Sequence, residues 1–219
     1  MSPLEQLPHT ADVASSPTEA EPLPPPPTSP TNPNLHLSVI HGWEHYSLLV
    51  SPREWRSICS IIIRRDNRTC ASCAYMSPHP NGKGLRISYR NGVASNYDDH
   101  TNLIVHCPPC EAIWNCDISG IEERVWLANS DMEQVEIVRK TRRMFEESGR
   151  IPRIREVDPL ATRTDIAIID LADQLKAMKR EELTEEEKGL RGFFMPEASD
   201  WFEITMAPEY VSRAPLLDT

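Results

Sequence analysis

The residues with the most chemistry to offer are cysteines. Six are present, and four of them form two equally spaced pairs, Cys70-x2-Cys73 and Cys107-x2-Cys110. A two-residue gap lets both thiolates of a pair turn toward one ion, and two such knuckles complete a tetrahedral set. Four thiolates around a divalent zinc leave an excess of negative charge, which backbone N–H groups and arginines such as Arg68 are placed in sequence to offset. The same spacing also suits iron, a redox dithiol or two disulfides. No export signal is recognisable, and neither pair follows a thioredoxin-like strand–helix pattern. Structural Zn2+ on Cys70, Cys73, Cys107 and Cys110 is therefore the expectation. Cys59 and Cys116 read as small buried thiols.

Elements must bring these pairs together. Ser51, Pro52 and Glu54 make a helix start, with Ser51 as N-cap and Pro52 in the first helical position. Behind it Trp55, Ile58, Cys59, Ile62 and Ile63 recur at helical spacing, so a helix runs to about Asp66 and stops just short of the first knuckle. Between the knuckles, 85–92 reads as a strand into a turn, and 102–107 leads into the second pair. Downstream, a strand is expected over 121–127. Ser130 with Glu133 then caps a helix to about Glu147, ended by Gly149, with Met132, Val135, Val138, Met144 and Phe145 as its apolar stripe. The stretch 151–159 is expected to be extended. A third helix is expected from Thr164–Asp165 to about Arg180, with Ile168, Leu171, Ala172, Leu175 and Met178 on one face.

Composition divides the 219 residues into a tail and a body. Ten of the 20 prolines fall at or before Pro33, so residues 1–34 are expected to be a disordered leader. Residues 35–50 suggest two short strands. The net charge of −10 is uneven: −5 over residues 1–52, +2 over 53–156 and −7 over 157–219. Wholesale coating of nucleic acid is disfavoured, and a basic patch has to draw on the Arg53, Arg56, Arg64, Arg65 and Arg68 group. No apolar run is long enough to span a membrane. The expected organisation is a leader (1–34), a zinc domain (35–150) and an acidic helical and extended C-terminal extension (151–219). In that extension Phe193, Phe194, Trp201 and Phe202 look exposed and fit either partner contacts or packing back on the body, whereas Trp43, Trp114 and Trp126 fit core or half-buried packing.

The order Arg64-Arg65-Asp66-x3-Cys70-x2-Cys73, then strand, turn, Asn102-Leu103 and Cys107-x2-Cys110, resembles the HNH (ββα-metal) family with its structural zinc. The resemblance implies an α+β fold. In that family's nucleases a histidine at the end of the first strand is the general base. An asparagine orients it, and a histidine after the last cysteine helps to hold a catalytic metal. The matching positions here are Ser88 and Tyr89 on the strand and Glu111 after the knuckle; only Asn102 keeps its type. Neither Ser88 nor Tyr89 is a good base near neutral pH. His79, His100 and His106 are nearby, but none stands at a matching position.

A closer resemblance, over about residues 36–150, is to the DotN (IcmJ) family of subunits of type IVB (Dot/Icm-type) secretion and conjugation systems. It rests on Trp55 on a capped helix, the two knuckles, Asn91-Gly92, Asn96, Trp126-Leu127 and the helix beyond them. It implies a cytoplasmic, non-enzymatic subunit that docks on the C-terminal region of a coupling ATPase, at the inner face of the membrane. Two other functions fit the same residues: an HNH endonuclease, and a zinc-dependent nucleic-acid binder using the arginines of 53–90.

Overall fold

The computed structural model describes residues 35–39, 51–92, 99–177 and 182–206. The proline-rich leader, Trp43 and most of the strand pair expected before residue 50, Asn96 and Met178 lie outside them.

Helix α1 (Pro52–Arg65) forms where the capping residues place it. The Ser51 hydroxyl accepts from the Glu54 N–H at 3.2 Å, and Pro52 opens the first turn without losing a helical hydrogen bond. Ile58 and Ile62 are buried. Strands β1 (Arg86–Tyr89) and β2 (Leu103–His106) pair antiparallel, Arg86 opposite His106 and Tyr89 opposite Leu103. Helix α2 (Pro108–Trp114) follows one residue later, and α3 (Cys116–Ile121) continues after a break at Asn115. Residues 35–39 lie against these helices: Ser38 donates its N–H to the Ile113 carbonyl at 3.3 Å and accepts from the Cys116 N–H at 2.8 Å.

A second sheet has the order β4-β3-β5, all antiparallel, from β3 (Val125–Asn129), β4 (Thr162–Arg163) and β5 (Leu190–Phe194). Helix α4 (Gln134–Ser148) packs on β5, and Gly149 ends it at φ +69°. The buried Gln134 amide donates to the Gly192 carbonyl and accepts from the Gly192 N–H, both at 2.8 Å. Gly192 has no room for a side chain, because a Cβ there would lie 2.6 Å from Ile113 Cδ1 and 2.9 Å from Val125 Cγ1. The remaining described elements are α5 (Ile154–Val157), α6 (Ile168–Ala177), α7 (Glu185–Lys188), a 3-10 turn (Pro196–Ala198) and α8 (Ser199–Met206). The class is α+β.

Several expectations change. Ile121 ends a helix, and the strand runs from Val125 to Asn129. Helix α4 starts at Gln134 because the Ser130 hydroxyl is engaged elsewhere, donating to Asp158 at 2.5 Å and accepting from the Met132 N–H. Its buried side carries Gln134, Ile137, Val138, Thr141, Arg142 and Phe145, so polar groups interrupt the expected stripe. A short helix occupies 154–157, where extended chain is expected, started by the Glu156 carboxylate accepting from the Arg153 N–H at 2.6 Å. The largest correction concerns Phe193, Phe194 and Phe202, which are buried rather than exposed. β5 pairs along all of β3, so residues 151–219 supply both strands that flank β3 rather than only an acidic arm. Phe202 packs on Phe145 at 4.9 Å between ring centroids, and half-buried Trp201 lies under the Arg124 guanidinium.

Candidate metal centre

The first knuckle is a tight loop at the end of α1. The Arg68 carbonyl accepts from the Ser77 N–H, the Cys70 N–H donates to Tyr75, and Thr69 bridges Met76, so the chain doubles back around the two cysteines. Asn67, Arg68 and Ala74 take positive φ to close it. The Ala71 N–H donates to the Val105 carbonyl at 2.8 Å and so docks the loop on β2. The second knuckle begins at the end of β2: Cys107 is the N-cap of α2 and Cys110 sits in its first turn. Strand pairing and that docking bond therefore bring the two pairs together.

All four sulfur atoms, on Cys70, Cys73, Cys107 and Cys110, lie within 4.8 Å of one another, and all four residues are buried. Bonds of about 2.3 Å from one tetrahedral ion place neighbouring sulfurs roughly 3.8 Å apart. This cluster could hold a metal ion. Hydrogen bonds from Cys107, Cys110 and Cys70 hold the Cys73 thiol far below its ordinary range, with Arg142 adding to the effect. Burial pushes Cys107 and Cys110 well up. An entering ion must displace the protons held on those two sulfurs, so binding strengthens as pH rises.

The charge partner is Arg142, not Arg68. From α4, Arg142 donates one N–H to Cys107 Sγ at 2.9 Å and another to Cys73 Sγ at 3.5 Å, and its guanidinium lies 4.3 Å over the Tyr75 ring. Its side chain is buried. Burial alone would disfavour its charge, but Cys107 and Cys73 in their thiolate forms outweigh that and hold the guanidinium charged. Arg139, one turn earlier, donates to the Cys73 carbonyl at 3.3 Å. Arg68 instead donates to the His79 carbonyl.

Cys59 and Cys116 stand outside the cluster. Burial pushes each thiol up to about 12, which leaves both inert near neutral pH.

The positions expected to carry nuclease chemistry are committed elsewhere. Ser88 is fully buried, with its hydroxyl 3.0 Å from His106 Nδ1; the other ring nitrogen of His106 is 3.0 Å from Ser72 Oγ, inside the first knuckle. Burial pushes His106 down to about 3, so it is neutral and gives a hydrogen bond to one serine while taking one from the other. It is a strut between knuckle and strand. The Tyr89 carbonyl accepts from Trp114 Nε1 at 3.0 Å. The Asn102 side-chain oxygen accepts from the Asn91 N–H, and its buried amide nitrogen has no partner among the described residues. Glu111 accepts from Asn115, and burial raises its carboxyl against the pull of Arg86. His100 is exposed, and His79 is half-buried on the loop after the first knuckle.

The basic patch is also partly engaged. Arg65 pairs with Asp66 and donates to the His100 and Leu103 carbonyls, tying α1 to the start of β2. Arg64 donates back to Ser60 within the helix. Arg53 and Arg56 are exposed.

No protein-family model matches the chain, and no curated protein matches it.

Proposed function

We propose that the chain is a non-catalytic, zinc-fixed assembly subunit with an HNH-like (ββα-metal) core. It docks on the C-terminal region of the coupling ATPase of a type IVB secretion or conjugation system, at the cytoplasmic face of the membrane. Among the described residues no helix is long and apolar enough to cross a membrane, so attachment in this reading goes through the partner.

The observation that carries the reading is a contrast within one unit. A knuckle loop docked on an antiparallel strand pair, together with the helix that follows the pair, holds four buried cysteines at metal-binding distance. The positions where a nuclease keeps its histidines hold Ser88, Tyr89 and Glu111. Ser88 is bonded to a buried neutral His106 and has no open face from which to act on a phosphodiester. The all-thiolate set suits zinc or iron, and zinc is the reading that the HNH-like resemblance supports; the Arg142 guanidinium lowers the charge of the set without adding a fifth ligand. The role of the zinc is structural: it fixes a strand pair too short to hold itself in water.

Isothermal titration of the full chain with the ATPase C-terminal region tests the docking, with a stable stoichiometric complex as the expected result. Absence of heat at high concentration would remove it. Nicking of supercoiled plasmid in Mg2+ or Ni2+, lost on Glu111→Ala, would instead support an endonuclease. Elemental analysis should return one zinc per chain.

A further inference from the structure

Two cavities of about 670 Å³ each, neither lined by a cysteine, lie on the second sheet and share Trp126 and Arg163. The Arg163 guanidinium sits 4.8 Å over the Trp126 ring and forms the saddle between them. One cavity has an apolar floor of Trp126, Ile154, Ala161 and Pro196. The other runs along Val125–Leu127 to Ile168 and Ile169. Strand β4 pairs only with Ala128 and Asn129, so on the side away from β5 the first part of β3 lines this cavity and, among the described residues, has no further strand beside it.

Two more observations point to an occupant. Of the four large apolar side chains exposed among the described residues, Ile169 lines the groove. Leu160 and Ile121 are each one residue from a lining position. The charges are also sorted by end. The first cavity is rimmed by Arg153, Arg155 and Arg163. Of its two acids, Glu156 is already held by Arg150 at 2.7 and 2.9 Å, which leaves Glu197 against three arginines. The second cavity carries Glu123 and Asp165. In a chain of net charge −10, a locally basic rim beside an apolar floor is selective for an acidic, partly apolar ligand.

The geometry points to a peptide-binding groove: an extended segment of a partner protein lies along the open part of β3. An apolar side chain rests against Trp126, and acidic residues sit toward Arg153, Arg155 and Arg163. Backbone pairing at the sheet edge supplies affinity, and the polarity of the rim sets direction. This deepens the docking reading by naming its surface and the chemistry of the partner's segment.

The test uses the full chain and phage-displayed random dodecapeptides, with Arg155→Glu and the Arg155→Glu/Arg163→Glu double variant alongside. Arg155 and Arg163 are both exposed, so the fold should survive, as checked by metal content and thermal midpoint. The wild type should enrich peptides with an acidic cluster beside an apolar residue. The double variant should bind those peptides at least about tenfold more weakly and enrich basic ones. No enrichment, enrichment without a charge pattern, or equal binding by both proteins overturns the proposal. So does binding of a single-stranded oligonucleotide that the double variant loses while no peptide is enriched. If the ATPase region binds wild type and double variant alike, docking stands and the groove fails. If acidic peptides bind the groove but the ATPase region does not, the groove stands and that partner assignment fails.

Discussion

Arg142→Met is the most informative single change. The side chain is buried and gives two N–H groups to Cys107 and Cys73 sulfurs, at 2.9 and 3.5 Å, while stacking on Tyr75. Hydrogen bonds to charged groups contribute about 1.5–3 kcal/mol each, and a desolvated cation–π contact about 2 kcal/mol. These share one guanidinium and do not add. Breaking a buried charge pair by removing one partner costs about 3–5 kcal/mol, and that range is the expected loss of stability in the metal-loaded protein. Metal affinity should fall about 10–100-fold, as for other groups hydrogen-bonded to metal ligands. Arg142→Lys keeps the charge but not the fork, and its single ammonium should recover only part of the loss. The assays are competition with a chromophoric chelator, denaturant unfolding of the metal-loaded protein, and the sulfur-to-cobalt charge-transfer band after Co2+ exchange. Arg139→Met is the control, since it removes only an exposed side chain that reaches the Cys73 carbonyl and Glu136. Wild-type affinity and stability in Arg142→Met, or an equal loss in Arg139→Met, would refute the reasoning.

Other changes test neighbouring parts. Cys107→Ser should lose the metal and most of the folded near-UV signal, while Cys59→Ser should keep full metal content by elemental analysis; the reverse result would show the ligand set to be misassigned. Gly192→Ala should lower stability by about 1–3 kcal/mol in urea titration, because its Cβ meets Ile113 and Val125 inside contact distance. Gln134→Leu leaves the N–H and C=O of Gly192 buried without their partner, and should cost about 2–4 kcal/mol on the same measurement with little effect on metal affinity.

The parts legible in the sequence are those decided locally. Ser51-Pro52-x-Glu54 marks a helix start through its own backbone chemistry, and Cys-x2-Cys marks a knuckle because its geometry closes within four residues. Arg142 is harder to see, although a signal exists: it stands four residues after Val138 and three before Phe145, on the same side of α4. Helical spacing predicts its burial, and a buried arginine needs an anionic neighbour. Reading only apolar letters passes over it. Phe193 and Phe194 look exposed because acidic sequence surrounds them, yet β3 needs a partner strand, and that pairing spans more than 60 residues. Trp126 reads as core or half-buried packing and is half-buried; the Arg163 guanidinium over its ring comes from a strand 37 residues on, which no local pattern announces.

The crowding around Gly192 also joins parts of the chain that are made far apart in time. A Cβ at Gly192 would touch Leu37 as well as Ile113, so an early segment and a late strand close over the same helix. Roughly 150 residues separate them, and at about 5–20 residues per second the ribosome needs roughly 8 to 30 s to make that stretch. The cysteines emerge well before it ends, followed by the arginine that neutralises them. Until Leu190–Phe194 appears, Leu37 lacks one of its neighbours and the edge of β3 that β5 pairs with is uncovered. A nascent chain of this protein therefore presents all four knuckle cysteines and Arg142 while still exposing the apolar surface that chaperones recognise.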